Sequence, residues 1–236
     1  MSLLPHVGGF ETGVAGYTVT AAGDFTGASN DYFTRSATAG TSTTLLTFST
    51  FFKRASAGSL GTIMAADTNS ADVIRFNTSN QLECFITGAT STWRTTNSFS
   101  DTASWHHLLC QIDLTQGTAA NKVKWWVDGT SEANTATATK TSFTKFNNNG
   151  KLQRIGMQGT QTGRSYDGLL AETYMIDGQI KAVADFATSN SPIAYAGTYG
   201  NNGFLMQYDT LGTDTSGNGN NMTSSGVSKE TVDLPT

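Results

Sequence analysis

Two adjacent histidines, His106 and His107, are the first residues here whose type suggests chemistry. They stand in Ser104-Trp105-His106-His107-Leu108-Leu109-Cys110-Gln111-Ile112-Asp113, an apolar alternation that reads as a strand. Neighbours on a strand face opposite ways, so the pair cannot converge on one ion, and the third histidine, His6, is distant in sequence. No zinc site is expected. A second candidate is Asp214-x-Ser216-x-Asn218-Gly219, with oxygen side chains at positions 1, 3 and 5 and glycine at 6 of a calcium loop. Position 12, which should carry a bidentate Glu, is Ser225. The competing reading is an Asn/Gly turn whose side chains bond their own backbone.

Binding without catalysis needs aromatic platforms and polar partners, because a sugar ring has an apolar face and a hydroxyl rim. In Lys122-Val123-Lys124-Trp125-Trp126-Val127-Asp128-Gly129, Trp126 shares its face with the lysines, while Trp125 shares the other with two valines. Trp126 is therefore a candidate platform. Trp93, between polar neighbours in Ser91-Thr92-Trp93-Arg94-Thr95, is a second. The two cysteines, Cys84 and Cys110, alternate with Leu and Ile and are expected to be buried free thiols, with a cross-strand disulfide as the alternative.

The elements that must position these groups are strands. Only 14% of the chain is charged, against a usual figure of about 25%. Thr (39), Ser (22) and Asn (16) together make roughly a third of it, so hydroxyls and amides supply the polar surface. A net charge of −4 offers no field for a phosphate backbone, which argues against a nucleic-acid partner. No apolar run approaches a membrane span, and Met-Ser-Leu-Leu-Pro-His-Val lacks the features of a secretory signal. Short alternating runs over 44–54, 59–65, 72–77, 82–87, 105–114, 122–127, 151–157, 168–176 and 203–208 predict strands. Asp128-Gly129, Asp167-Gly168 and Asp177-Gly178 predict tight turns. One short helix is expected over 180–187. The expected fold is all-β, a two-sheet antiparallel sandwich.

The order of these segments resembles a known family. Trp105-His106-His107 with its strand, then Lys124-Trp125-Trp126-Val127-Asp128-Gly129, is similar to the core hairpin of laminin-G-like domains of the concanavalin A-like superfamily. Asn30-Asp31-Tyr32-Phe33-Thr34-Arg35 precedes it. Tyr166-Asp167-Gly168-Leu169-Leu170-Ala171-Glu172, Met175-Ile176-Asp177-Gly178-Gln179 and Tyr199-Gly200-Asn201-Asn202-Gly203-Phe204 follow. Over roughly 23–227 the series resembles laminin-G-like segments of tailed-bacteriophage structural proteins. That resemblance implies a jelly roll and a place on a virion, as a fibre, tail or capsid-surface component. The superfamily also contains glucanases with a Glu-x-Asp-x-x-Glu strand, where two carboxylates flank the scissile bond. Here Glu172-Thr173-Tyr174-Met175-Ile176-Asp177 lacks the middle Asp and the second Glu, and Glu172 and Asp177, five apart, face opposite ways on a regular strand. No catalytic residue is expected.

The expectation is therefore a polar N-terminal arm (1–22), a laminin-G-like jelly roll (23–209) and a Gly/Asn/Ser-rich extension (210–236). The function expected first is a non-enzymatic virion protein working through contacts with other virion proteins, oligomeric or particle-bound. The alternative is a carbohydrate-binding adsorption module that recognises a host-surface glycan. The chain would need no cofactor unless calcium binds near Asp214, Ser216 and Asn218.

Overall fold

The computed structural model describes residues 16–67, 71–87, 91–159 and 163–236. Two eight-stranded antiparallel sheets form a sandwich. Sheet I runs in spatial order β10 (Thr130–Glu132), β9 (Val123–Val127), β8 (His106–Asp113), β3 (Leu45–Arg54), β13 (Asp167–Asp177), β1 (Ala22–Thr26) and β18 (Ser228–Glu230). The later part of β13 also pairs with β16 (Phe204–Met206). Sheet II runs β11 (Asn134–Thr137), β7 (Ser91–Thr95), β6 (Leu82–Ile86), β5 (Asp72–Phe76), β4 (Gly61–Ala66), β12 (Leu152–Ile155), β2 (Tyr32–Ser36) and β17 (Thr223–Ser225). A small ribbon of β14 (Ala187–Thr188) and β15 (Ser191–Pro192) stands apart.

Period-2 patterning explains the core. Leu108, Cys110 and Ile112 of β8, Val123, Trp125 and Val127 of β9, and Leu82, Cys84 and Ile86 of β6 all turn inward and are buried in one cluster. Cys84 and Cys110 are free thiols on different sheets, and burial raises the pKa of both. The Asp128-Gly129 turn closes β9 onto β10 with positive φ at both residues, as a two-residue hairpin requires. Asp167-Gly168 does not make the expected tight turn, because it begins β13. Gly168 there has φ +136°, and a Cβ would sit 2.2 Å from the Lys53 carbonyl oxygen. The helix expected over 180–187 is only a 3₁₀ turn at Val183–Asp185: Asp185 accepts from the Ala182 N–H, and β14 starts at Ala187.

The described parts of both ends join the sandwich. The segment after 210 completes both sheets: Ser224 pairs with Phe33 at the edge of sheet II, and Lys229 with Gly23 at the edge of sheet I. Met222 and Val227 enter the main core. Of the N-terminal arm, 1–15 lie outside the described residues, whereas Val19, Ala21 and Ala22 are buried.

Buried aspartates anchor the loops of this charge-poor chain. Asp72 accepts backbone N–H bonds from Thr87, Thr144, Lys145 and Phe146, which fastens 143–146 to sheet II. Asp177 accepts from the N–H groups of Thr41, Ser42 and Asn202 and from the Asn147 side-chain amide. Each carboxylate saturates donors that would otherwise be buried without partners.

The two outer faces differ. On sheet I, an excursion over 179–199 lays a second apolar layer: Phe186 packs with Leu109, Tyr174, Ile176 and Leu205. Gln179 and Lys181 carbonyls accept from the Thr47 hydroxyl and the Gln111 amide, and this stitches the excursion to the sheet. Sheet II carries a charged and hydroxyl-rich face beside β11.

Candidate functional site

His106 and His107 do face opposite ways. The His106 ring lies between Asp128 (Nδ1···Oδ2 2.6 Å) and Asp101 (Nε2···Oδ2 3.2 Å), and the Asp128 hydrogen bond raises its pKa. His107 is buried, 2.8 Å from the Ser49 hydroxyl, and its ring lies 4.7 Å from that of Phe51 at a tilt of 37°. Among the described residues, no group of three or more His, Cys, Asp or Glu side chains could hold a metal ion.

Glu172 and Asp177 do not form a catalytic pair. Glu172 sits with φ +46° in a bulge where the β13–β3 register slips between Ala171 and Tyr174. Its carboxylate accepts from the hydroxyls of Tyr17 (2.6 Å) and Tyr174 (2.9 Å), and burial raises its pKa. Asp177 is fully engaged by the four N–H donors named above. In the loop considered for calcium, Asp214 Oδ1 accepts from the N–H groups of Leu205 and Ser216, and Oδ2 from the Ser216 hydroxyl and the Asn220 N–H. Asn218 turns its amide donors to the Gly200 and Gly203 carbonyls. Asp214 thus takes donors from the loop and from Leu205, and Asn218 ties the loop to the 200–203 segment.

The two tryptophans part company. Trp93 is fully buried, with Nε1–H donating to the Ala119 carbonyl at 2.8 Å, so it cannot stack on a ligand, contrary to expectation. Its neighbours Ser91 and Thr95 also point inward, which a polar-equals-exposed reading misses. Ser91 Oγ accepts from the Thr139 and Lys140 N–H groups, and Thr95 Oγ1 accepts from the Leu82 N–H while donating to the Asn97 carbonyl. Trp126 is half-buried against the apolar layer on sheet I.

With Ser91, Trp93 and Thr95 inward, Thr92 and Arg94 face out, and the sheet register assembles the site. One row across neighbouring strands is Thr135, Arg94, Glu83, Arg75; the next is Thr137, Thr92, Phe85, Val73. Glu83 Oε1 accepts from Arg75 Nε (2.9 Å) and Nη2 (2.6 Å), and Oε2 from Arg94 Nε (3.0 Å) and Nη2 (2.5 Å). Burial alone would raise the Glu83 pKa, but the two arginines outweigh it and hold the group below its ordinary value. Arg75 Nη1 donates onward to Gln158 Oε1 at 3.1 Å. Thr92, Arg94, Thr135 and Thr137 line a shallow depression of about 220 Å³. Beside it Phe85 is half-buried, its ring resting on Ala65, Ala71 and Val73. An aromatic ring, three threonine hydroxyls and a fixed guanidinium are thus presented on rigid strands. That set can hold a polyhydroxylated ring by stacking and hydrogen bonds, and the carboxylate of its row, Glu83, is engaged by both arginines. Arg75 and Glu83, each flanked by inward apolar residues on successive strands, were the part of this face visible in the sequence, and joining them to Arg94 needed the strand register.

Comparison with known proteins follows the fold. No curated protein matches the sequence. Among solved structures, a candidate carbohydrate-binding protein from Bacteroides ovatus superposes with TM-score 0.65 at 18% identity, covering 93% of this chain. The chain spans 62% of that protein's length. A heptameric SAP-like pentraxin from Limulus polyphemus follows (TM-score 0.52, 12% identity, 69% of this chain and 78% of that one). Domains LG4-5 of the mouse laminin α1 chain give TM-score 0.51 at 12% identity, over 77% of this chain and 46% of that one. At these identities the likeness is one of fold. The Laminin_G_3 family model, described as the concanavalin A-like lectin/glucanases superfamily, matches residues 26–182. This span takes in both halves of the sandwich and the whole Phe85–Arg94 face, and the chain belongs to that family.

Proposed function

We propose that this chain is a non-catalytic carbohydrate-binding module whose saccharide lies on the outer face of sheet II, over Phe85 and the Thr92–Arg94–Thr135–Thr137 depression. The observation that carries this reading is the contrast between the two sheets. Sheet I covers much of its outer face with the 179–199 excursion and with Tyr17, Val19 and Leu234, whereas at its β11–β7–β6 end sheet II leaves a half-buried aromatic ring beside threonine hydroxyls. Among the described residues, the Thr92 and Thr137 side chains have no hydrogen-bond partner. The family's lectin branch and the description of the Bacteroides ovatus protein support the same reading. The separate engagements of Glu172 and Asp177 support binding without hydrolysis.

A glycan array probed with the whole chain should show a defined subset of saccharides bound above background. Phe85→Ala should weaken the best of them about tenfold, the loss of roughly 1.4 kcal/mol of stacking. Trp126→Ala should leave it unchanged; the opposite pattern would move the site to Trp126 on sheet I. An array with no binding would overturn the reading.

The virion setting rests on the order of sequence segments alone, and neither the family match nor the solved structures add to it. In that setting the same face would serve host adsorption. Free protein that competes with phage particles for host cells would support it, and absence of the protein from purified particles would exclude it.

A further inference from the structure

We propose that the saccharide held on this face is anionic, bearing a carboxylate or sulfate gripped by the outward end of Arg94. This inference rests on the carbohydrate-binding reading and narrows its ligand class.

Two arginines converge on one glutamate, so the Arg75–Glu83–Arg94 row keeps one positive charge uncompensated. The Glu83 side chain is only 4% exposed, and Arg75 is 18% exposed. Arg94 is 43% exposed. The surplus charge therefore meets solvent at Arg94, on a molecule whose overall charge is −4. The orientation of that guanidinium is also set. Its Nε and Nη2 donate to Glu83 Oε2, leaving Nη1, which has no partner among the described residues, and the second Nη2 hydrogen. Those donors form an end-on fork, the geometry that takes two oxygens of a carboxylate or sulfate. Glu83 holds the fork in place before any ligand arrives, so little side-chain entropy is lost on binding.

The surroundings suit the rest of such a sugar. Thr92, Thr135 and Thr137 place hydroxyls in the same depression. Phe85 lies directly across from Thr92 in the register, one strand inward. A sugar ring on Phe85 can therefore bring a ring-borne anion toward Arg94 while its hydroxyls meet the threonines. Arg75 engages Glu83 Oε1 and the inner edge of Arg94 engages Oε2, so the carboxylate is satisfied without drawing on the outward fork of Arg94. A neutral sugar would use the threonines but leave the fork to water.

The test uses matched pairs that differ in charge: 3′-sialyllactose with lactose, hexagalacturonate with its methyl ester, and a sulfated carrageenan hexaose with neutral neoagarohexaose. Calorimetry on the whole chain should show at least one anionic member bound tenfold or more tighter than its partner. Arg94→Lys keeps the charge but loses the fork, and should remove most of that preference. Arg94→Ala should abolish it, with the far-ultraviolet circular dichroism and unfolding midpoint of each variant confirming the fold. Equal binding of charged and neutral partners would overturn this inference and leave the carbohydrate reading standing. The same holds if both Arg94 variants retain the preference. Binding of no saccharide in the panel or on the array would overturn both. Which pair responds identifies the anion as carboxylate or sulfate.

Discussion

Asp177→Ala should lower the unfolding free energy by about 3–5 kcal/mol, among the largest effects available to a single substitution in this chain. Asp177 is fully buried and accepts four N–H donors from three other segments: Thr41 and Ser42 before β3, Asn147 in the loop before β12, and Asn202 before β16. Alanine leaves those donors in a site too enclosed for bulk water to replace the carboxylate. A buried donor stripped of its acceptor costs about 1–3 kcal/mol, with partial relaxation holding the sum below four separate penalties. For a chain of this size the unfolding midpoint should fall by roughly 10 °C. Asp113→Ala provides the control, because its carboxylate bonds only the neighbouring Thr115 and Gln116, and its loss should cost within about 1 kcal/mol. Urea unfolding of both variants measures the difference. Equal midpoints would show that Asp177 is not a structural anchor.

The second large effect is in the pH dependence of stability. His107 has no exposed surface, and burial lowers its pKa from 6.5 to about 4. In the unfolded chain the imidazole titrates near 6.5, so between about pH 6.5 and 4 the unfolded state binds more protons than the folded one. The stability due to neutral His107 is fully present above pH 6.5 and is lost as the pH falls toward 4, on the order of 3 kcal/mol across that window. His106 behaves in the opposite sense. Its raised pKa contributes stability that is present below 6.5 and lost as pH rises through the folded value. Asp72 and Glu172, whose pKa values burial raises, oppose the His107 slope at the acid end, where their protonation favours the folded state. The comparison that isolates His107 is therefore with His107→Gln, whose unfolding free energy should decline less between pH 6.5 and 4 by about 3 kcal/mol. Identical slopes would contradict the assignment of a buried neutral imidazole.

What the sequence revealed, and what it hid, follows from how strands are stabilised. All nine strands expected from alternation are present, most of them burying a face of alternating apolar residues; β12 buries Gln153 and Arg154 beside Ile155, and in β4 a bulge between Thr62 and Met64 interrupts the alternation. Among the strands that were not expected are those at 91–95, 134–137, 223–225 and 228–230. Their residues are mostly Ser, Thr and Asn, and their strand state comes from pairing with a neighbour rather than from an apolar face of their own. The same chemistry misplaced Trp93, since the buried Ser91 and Thr95 are satisfied by backbone groups that sequence spacing cannot foresee. Trp125 and Trp126 were sorted to inner and outer faces by period alone. Asp177 was legible as a turn residue before Gly178. Its three long-range clients were not, since they are 25 to 136 residues away in the chain. The Arg75–Glu83–Arg94 row needed strand register, which single-strand patterning does not specify.

The central claim is that a saccharide occupies the outer face of sheet II. The most direct measurement is a backbone-amide NMR titration of the whole chain with the tightest saccharide found on the array. The account predicts saturable shifts concentrated at Phe85, Thr92, Arg94, Thr135 and Thr137, with the 179–199 excursion unmoved. Shifts centred on Trp126, Tyr195 and Tyr199, with Phe85 and Arg94 silent, would contradict it.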